Sequence, residues 1–286
     1  MVQKSERLQL PGRGSGRAVR PVGNVTRGTT NPNRMRRVDR WVTGSQAWRF
    51  RHLPEPLAVD LGYGASPRTA IELFERLRTV NPGFRLTGLE IEPGRVARAR
   101  EEARPGLDFR LGGFELPVSH APVLVRAFNV LRQYDEADVP GIWATLTSRL
   151  AADGLLVEGT CDELGRTAAW VALDGGGPLS LHLSVNFGAL EQPSQLAERL
   201  PKALIHRNVP GERIHAFLAA ADQAWLAAAP LASFGVRQRW MAMCRALRSS
   251  GWPVLDGPRR YRLGELSVAW DAVAPDGVAR RDHQLL

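Results

Sequence analysis

Leu57-Ala58-Val59-Asp60-Leu61-Gly62-Tyr63-Gly64 is the stretch from which this 286-residue chain is best read. A mainly apolar run, entered through Pro56 and left through two glycines one residue apart, reads as a buried parallel strand ending in a tight turn. Arg68 to Val80 follow, with Ile71, Leu73, Phe74, Leu77 and Val80 at helical spacing. Strand, glycine turn and helix bring backbone amides to a helix N-terminus, where a ligand can approach closely because no Cβ intervenes.

Working outward, Arg85-Leu86-Thr87-Gly88-Leu89-Glu90 is a second strand ending in an acid, with a helix opening at Pro93. A carboxylate at such a tip can accept both hydroxyls of a ribose. The dinucleotide pattern needs a third glycine three residues after the second, and Pro67 stands there instead.

An acidic strand end followed by Gly-x-Gly, then a second acidic strand end, resembles class I S-adenosylmethionine-dependent methyltransferases. The resemblance covers roughly residues 57–185. It implies that Asp60 faces the methionine part of the cofactor, that Gly62, Tyr63 and Gly64 lie under it, and that Glu90 binds the ribose. The family usually carries an acid in the loop after the third strand, Leu107 to Leu111, flanking the adenine. This sequence offers Gly113 and Phe114 there, so stacking and backbone amides are the expected contact. The fourth strand, Pro122 to Asn129, ends where the family presents the transferable methyl. Asn129 is assigned to the cofactor, and Arg126, Arg132 and Tyr134 to the substrate. The Asp/Asn/Ser-Pro-Pro-aromatic run of amino-methyltransferases is absent.

Alternating strands and helices from Leu57 onward imply a doubly wound, mostly parallel sheet, seven-stranded by the resemblance. Residues 138–150 read as a helix and Gly154 to Glu158 as the fifth strand. Residues 168–173 and 179–185 flank a glycine turn as a hairpin, in which His182 is a strand-face residue rather than a base. Helical patterns then run over 193–200, 212–229 and 237–248. Residues 261–263 and 266–270 read as closing strands. Three regions result: a basic arm over 1–52, a Rossmann-like cofactor domain over 53–189, and a mainly helical, substrate-side region over 190–286.

The net charge of +9 belongs to the arm. Residues 1–52 hold Lys4 and eleven arginines against Glu6 and Asp39, a net +10 that leaves −1 on the remainder. Such an arm can bind phosphate backbones, act as a solvated tail, or close over an anionic ligand. Residues 1–24 have the composition of a disordered segment. Next comes a helix capped near Asn31 or Asn33, with Met35, Val38, Trp41 and Val42 on its apolar face. Arg27 and Asn31, with Thr29 and Thr30, are the arm residues expected to close over cofactor or substrate. No run approaches the ~18 apolar residues of a membrane span. Cys161 and Cys244 make neither a disulfide framework nor a metal spacing, which points to a reducing cytoplasm.

The expectation is therefore a methyltransferase (EC 2.1.1.-) using S-adenosyl-L-methionine and no metal. Its first-choice acceptor is a small molecule, because the core is neutral and the C-terminal region large and aromatic. RNA or DNA bound through the arm is the second reading, and a non-catalytic nucleotide-binding protein the third. Methyl transfer needs alignment more than a dedicated base. Asp135, Glu136, Asp162 and Tyr134 are candidate proton acceptors, none at a diagnostic spacing, and no catalytic residue is named.

Overall fold

The computed structural model describes residues 21–278 except 27 and 29. Expectations for Arg27, Thr29 and the first twenty residues lie outside the described part. The eight strands among the described residues are β1 (Leu57–Leu61), β2 (Arg85–Glu90), β3 (Leu107–Leu111), β4 (Leu124–Phe128), β5 (Leu155–Cys161), β6 (Thr167–Asp174), β7 (Gly177–Val185) and β8 (Glu265–Ala269). They form one sheet in the order β3-β2-β1-β4-β5-β6-β7-β8. The first five pair in parallel, and β6, β7 and β8 add an antiparallel meander. Seven strands were expected. The eighth arises because β8 returns from the helical region and pairs with β7, burying Leu266 and Val268.

Helices cover both faces, as a mostly parallel sheet requires. The helices are α1 (Arg36–Ser45), α2 (Arg68–Val80), α3 (Pro93–Ala99), α4 (Val139–Thr147), α5 (Lys202–Ile205), α6 (Arg213–Ala227), α7 (Val236–Ser249) and α8 (Pro258–Tyr261). Val38, Trp41 and Val42 of α1 join Leu73, Phe74 and Leu77 of α2 in one core. Ile142, Trp143 and Leu146 of α4 share the opposite core with Phe217 of α6 and Trp240 of α7. Two local expectations are corrected. Residue 35 precedes the first turn of α1 without a side-chain cap. The Asn33 amide instead donates to Glu72, and its carbonyl starts the turn into the helix. Residue 261 ends α8 and 262–263 form a turn rather than a strand, since Pro258 at the first helical position starts a helical turn there.

His182 lies in the sheet as expected. It stacks on Trp170 at 5.2 Å, contacts Trp41, and lies 2.7 Å from the Ser180 hydroxyl and 2.5 Å from that of Ser267. Burial pushes its pKa down to about 3, so it stays neutral and structural.

Glu158 of β5 is 0 % exposed, and among the described residues neither carboxyl oxygen has a hydrogen-bond partner. Burial pushes its pKa up to about 8, opposed by the nearby Trp143 indole, which does not meet hydrogen-bond geometry. Between the ordinary carboxyl pKa and this raised one, the folded chain keeps a proton that the unfolded chain has lost. Stability therefore falls as pH rises through that window, by roughly 1.4 kcal/mol per unit at most. Glu158→Gln is expected to flatten the slope and to gain on the order of 1–3 kcal/mol at pH 7. Urea midpoints at pH 5 and pH 8 test this. A mutant whose stability runs parallel to that of the unaltered protein would refute it.

Candidate functional site

The order of the parallel strands reverses between β1 and β4, and the crevice above their carboxyl ends is where doubly wound sheets take ligands. Gly62 and Gly64 leave β1 at φ +70° and +88°. A Cβ on Gly62 would lie 2.8 Å from Val130, and one on Gly64 3.0 Å from Thr30. The Gly64 amide donates to Glu90 Oε2 at 3.0 Å, so the second acidic strand end and the turn meet as expected. Glu90 Oε1 accepts from the Ile91 amide at 2.9 Å, and Arg95 stands 3.5 Å from Oε2. Tyr63 packs edge-on to Phe109 at 5.3 Å, where burial raises the pKa of its phenol.

A cavity of about 490 Å³ opens over the turn, lined by Asp60, Gly62, Tyr63 and Gly64 below and by Asn129 beside them. Asn129 is held at φ +58°, a conformation asparagine tolerates better than most residues. Its side chain is fixed across the strands: Oδ1 accepts from the Cys161 amide and Nδ2 reaches the sulfur at 3.4 Å.

Arg126 is corrected. Its register partner is Asp60, so both side chains leave the sheet on the α1–α2 side. Arg126 is 1 % exposed and donates to both Asp60 oxygens, at 2.9 and 2.7 Å, to Asp39 and to the Thr69 carbonyl. Arg76 closes the other oxygen of Asp39 at 2.6 Å. Burial works against the guanidinium charge, yet the two carboxylates outweigh it and raise the Arg126 pKa. The residue is a buried counter-ion and is not among the residues lining the cavity. Asp60 still lines the cavity, with both oxygens engaged from beneath.

Tyr134 is also corrected. It is buried against Phe114, and its hydroxyl accepts from the Asn24 amide, away from the large cavity. Asn31 donates to the Glu163 carbonyl, tethering the β5–β6 loop, and is not among the residues lining the cavity. Arg132 does line it. Asp162 spends its carboxylate on the amides of Leu164, Arg166 and Thr167, and Glu136 pairs with Arg207. Both are therefore committed to structure.

Thr30, one of the arm residues expected near the ligand, lines the cavity; sequence reasoning missed Thr26, Gly28, Arg34 and Arg199, which line it too. It also missed Glu115. The acid sought after the third strand sits one residue beyond Phe114, and its Oε1 accepts the Gly113 amide at 2.9 Å. The Gly-Gly-Phe-Glu spelling at 112–115 carried that signal.

The narrow end of the groove, where the resemblance would put the base, is lined by Glu90, Gly113, Phe114 and Tyr134 and has only about 20 Å³ free. The chain's own Val22, Gly23 and Asn24 lie in it. The glycine turn, Glu90 and the large cavity fit the sugar and amino-acid parts of a sulfonium nucleoside. The base end fits one only if that segment moves.

Neither a family model nor a curated protein matches the chain. Solved structures do, over less than half of it. Magnesium protoporphyrin IX methyltransferase from Synechocystis PCC 6803 with bound SAH aligns with TM-score 0.34 at 19 % identity, over 44 % of this chain and 54 % of its own. The plantazolicin methyltransferase BamL, in complex with a triazolic desmethylPZN analog and SAH, gives 0.35 at 15 %, over 46 % of each chain. Human N-acetylserotonin methyltransferase with SAM gives 0.31 at 20 %, over 46 % and 39 %. This chain is similar to methyltransferases. It spans about half or less of the length of each, and the strand order given above defines the fold independently of them.

Proposed function

We propose that the protein is an S-adenosyl-L-methionine-dependent methyltransferase (EC 2.1.1.-) whose acceptor is a small molecule bearing a carboxylate or phosphate. The observation that carries the reading is the 3.0 Å bond between Glu90 and the Gly64 amide. It sets an acceptor-only carboxylate beside a turn without side chains, at the mouth of the strand crossover. When bound, the cofactor supplies a methyl group on a sulfonium, which an acceptor nucleophile displaces in line.

The chain's part is to bind and align. Glu90 is the ribose acid, the Gly62–Gly64 backbone underlies the amino-acid part, and Asn129 offers a rigid amide edge beside it. Glu115 and the Phe114 amide flank the base. Arg34, Arg132 and Arg199 line the cavity, with Glu163 on the β5–β6 loop. Arg132 and Arg199 have no carboxylate partner among the described residues, and the Arg132 pKa is lowered by burial and by Arg199. Two cations held near each other, neither ion-paired to a carboxylate among the described residues, suit an anionic acceptor. Arg199 comes from the region after 190, in keeping with a substrate-side role for residues 190–286 beside a cofactor domain over 53–189.

Glu90→Ala is expected to weaken S-adenosylhomocysteine binding by at least about tenfold in calorimetry, since it removes a charged acceptor from the groove. Unchanged affinity would remove the site assignment. Incubation with methyl-labelled cofactor and either pooled small anionic metabolites or total RNA then separates the acceptors. Label entering RNA alone would replace the small-molecule reading with the nucleic-acid one.

A further inference from the structure

The base end of the groove holds a ligand made of the protein itself. Val22 donates its amide to Glu115 Oε2 at 2.9 Å, and its carbonyl accepts from the Phe114 amide at 3.0 Å. A Cβ on Gly113 would lie 2.0 Å from that carbonyl oxygen, so the cradle is bare where Val22 enters it. The Asn24 amide donates to the Tyr134 hydroxyl at 2.5 Å, and Gln133 donates to the Asn24 carbonyl at 2.9 Å. Arg95 then holds the Thr26 carbonyl at 2.9 Å. Beyond it, the Gly28 carbonyl accepts from the Ala65 amide, and Thr30 donates to the Tyr63 carbonyl at 3.2 Å. The segment thus follows the groove from its base end to the glycine turn.

The chemistry at Val22 is selective. A residue's backbone offers one N–H donor and one carbonyl acceptor. Glu115 and the Phe114 amide provide the complementary pair, an acceptor beside a donor. The amino group and adjacent ring nitrogen of adenine offer the same donor and acceptor on one edge. With about 20 Å³ left around them, peptide and base cannot both occupy the cradle. We infer that residues 22–26 are an intramolecular competitor of the adenine nucleoside, and that nucleoside binding expels them. This rests on reading the groove as a nucleoside site. The exchange links the cofactor to the basic arm: the loaded protein has its N-terminal segment released, and the unloaded protein has it docked.

The test uses the full chain and two variants that remove arm donors while leaving every groove side chain in place. Val22→Pro deletes the donor to Glu115, and Asn24→Pro the donor to Tyr134. Each is expected to bind S-adenosylhomocysteine about tenfold more tightly, because a competing hydrogen bond has been removed. In the unaltered protein, S-adenosylhomocysteine should speed hydrogen exchange at the Val22 and Asn24 amides while slowing it at Gly64. Tight binding with Val22 and Asn24 still protected would overturn the inference, making the segment a lid over the ligand. Weaker binding by both variants would overturn it too. If none of the three proteins binds S-adenosylhomocysteine, the nucleoside reading of the groove falls along with it.

Discussion

Arg126→Met is expected to cost about 3–5 kcal/mol of stability, the scale for removing one partner of a buried ion pair. The substitution would leave Asp60 without its bidentate partner and Asp39 with Arg76 alone. Both carboxylates are buried, at 3 % and 0 % exposure, and cannot recover the lost interaction from water. Against a typical domain stability of about 5–15 kcal/mol, this is a large fraction. Urea unfolding at pH 7 measures it. The triple variant Asp39→Asn, Asp60→Asn, Arg126→Met should recover much of the loss, because neutral groups no longer need the guanidinium. A single variant with the original midpoint and reduced turnover would restore Arg126 to the substrate site and refute the structural role.

Gly62→Val is the second large effect. At φ +70° a β-branched residue is an outlier, and the added Cβ would meet Val130 at 2.8 Å. The turn must shift to admit it, and the Gly62 amide, bonded to the Leu89 carbonyl at 2.7 Å, shifts as well. That bond ties the turn to β2 one residue before Glu90. Movement there separates the two halves of the cradle, so S-adenosylhomocysteine affinity is expected to fall by about a hundredfold or more, while stability drops by about 1–3 kcal/mol. Gly141→Ala in α4 is the control, since a Cβ there meets nothing within 4 Å. It should stabilise slightly through helix propensity and leave binding alone. Equal affinities for Gly62→Val and the control would show that the turn does not contact the ligand.

Much of the site was legible because its signals are local. Apolar runs closed by Gly62 and by Glu90 mark strand tips, and parallel strands separated by a helix put such tips on one edge of the sheet. The Gly64–Glu90 contact follows from that arrangement. Arg126 was misread because the same local rule put it near a strand tip, whereas its function depends on what its face of the sheet meets. Asp39 is 87 residues away and Asp60 66, and only the packing of α1 and α2 on the sheet brings the charges together. Glu115 escaped because the acid was sought at 113–114, and only the loop's path shows its carboxylate turning back to the Gly113 amide. The docking of Val22 and Asn24 escaped because a stretch without apolar periodicity carries no sign of where it docks.

By itself, then, the sequence determined the succession of strands and helices, the glycine turn and the two acidic strand ends, since hydrophobic period and turn chemistry act over a few residues. Tertiary structure alone decided that β8 would extend the sheet, that Arg126 would be locked between two carboxylates, and that Val22 would pair with Glu115 and the Phe114 amide. Those outcomes come from strand neighbours and long-range contacts, whose partners are set by how the layers pack.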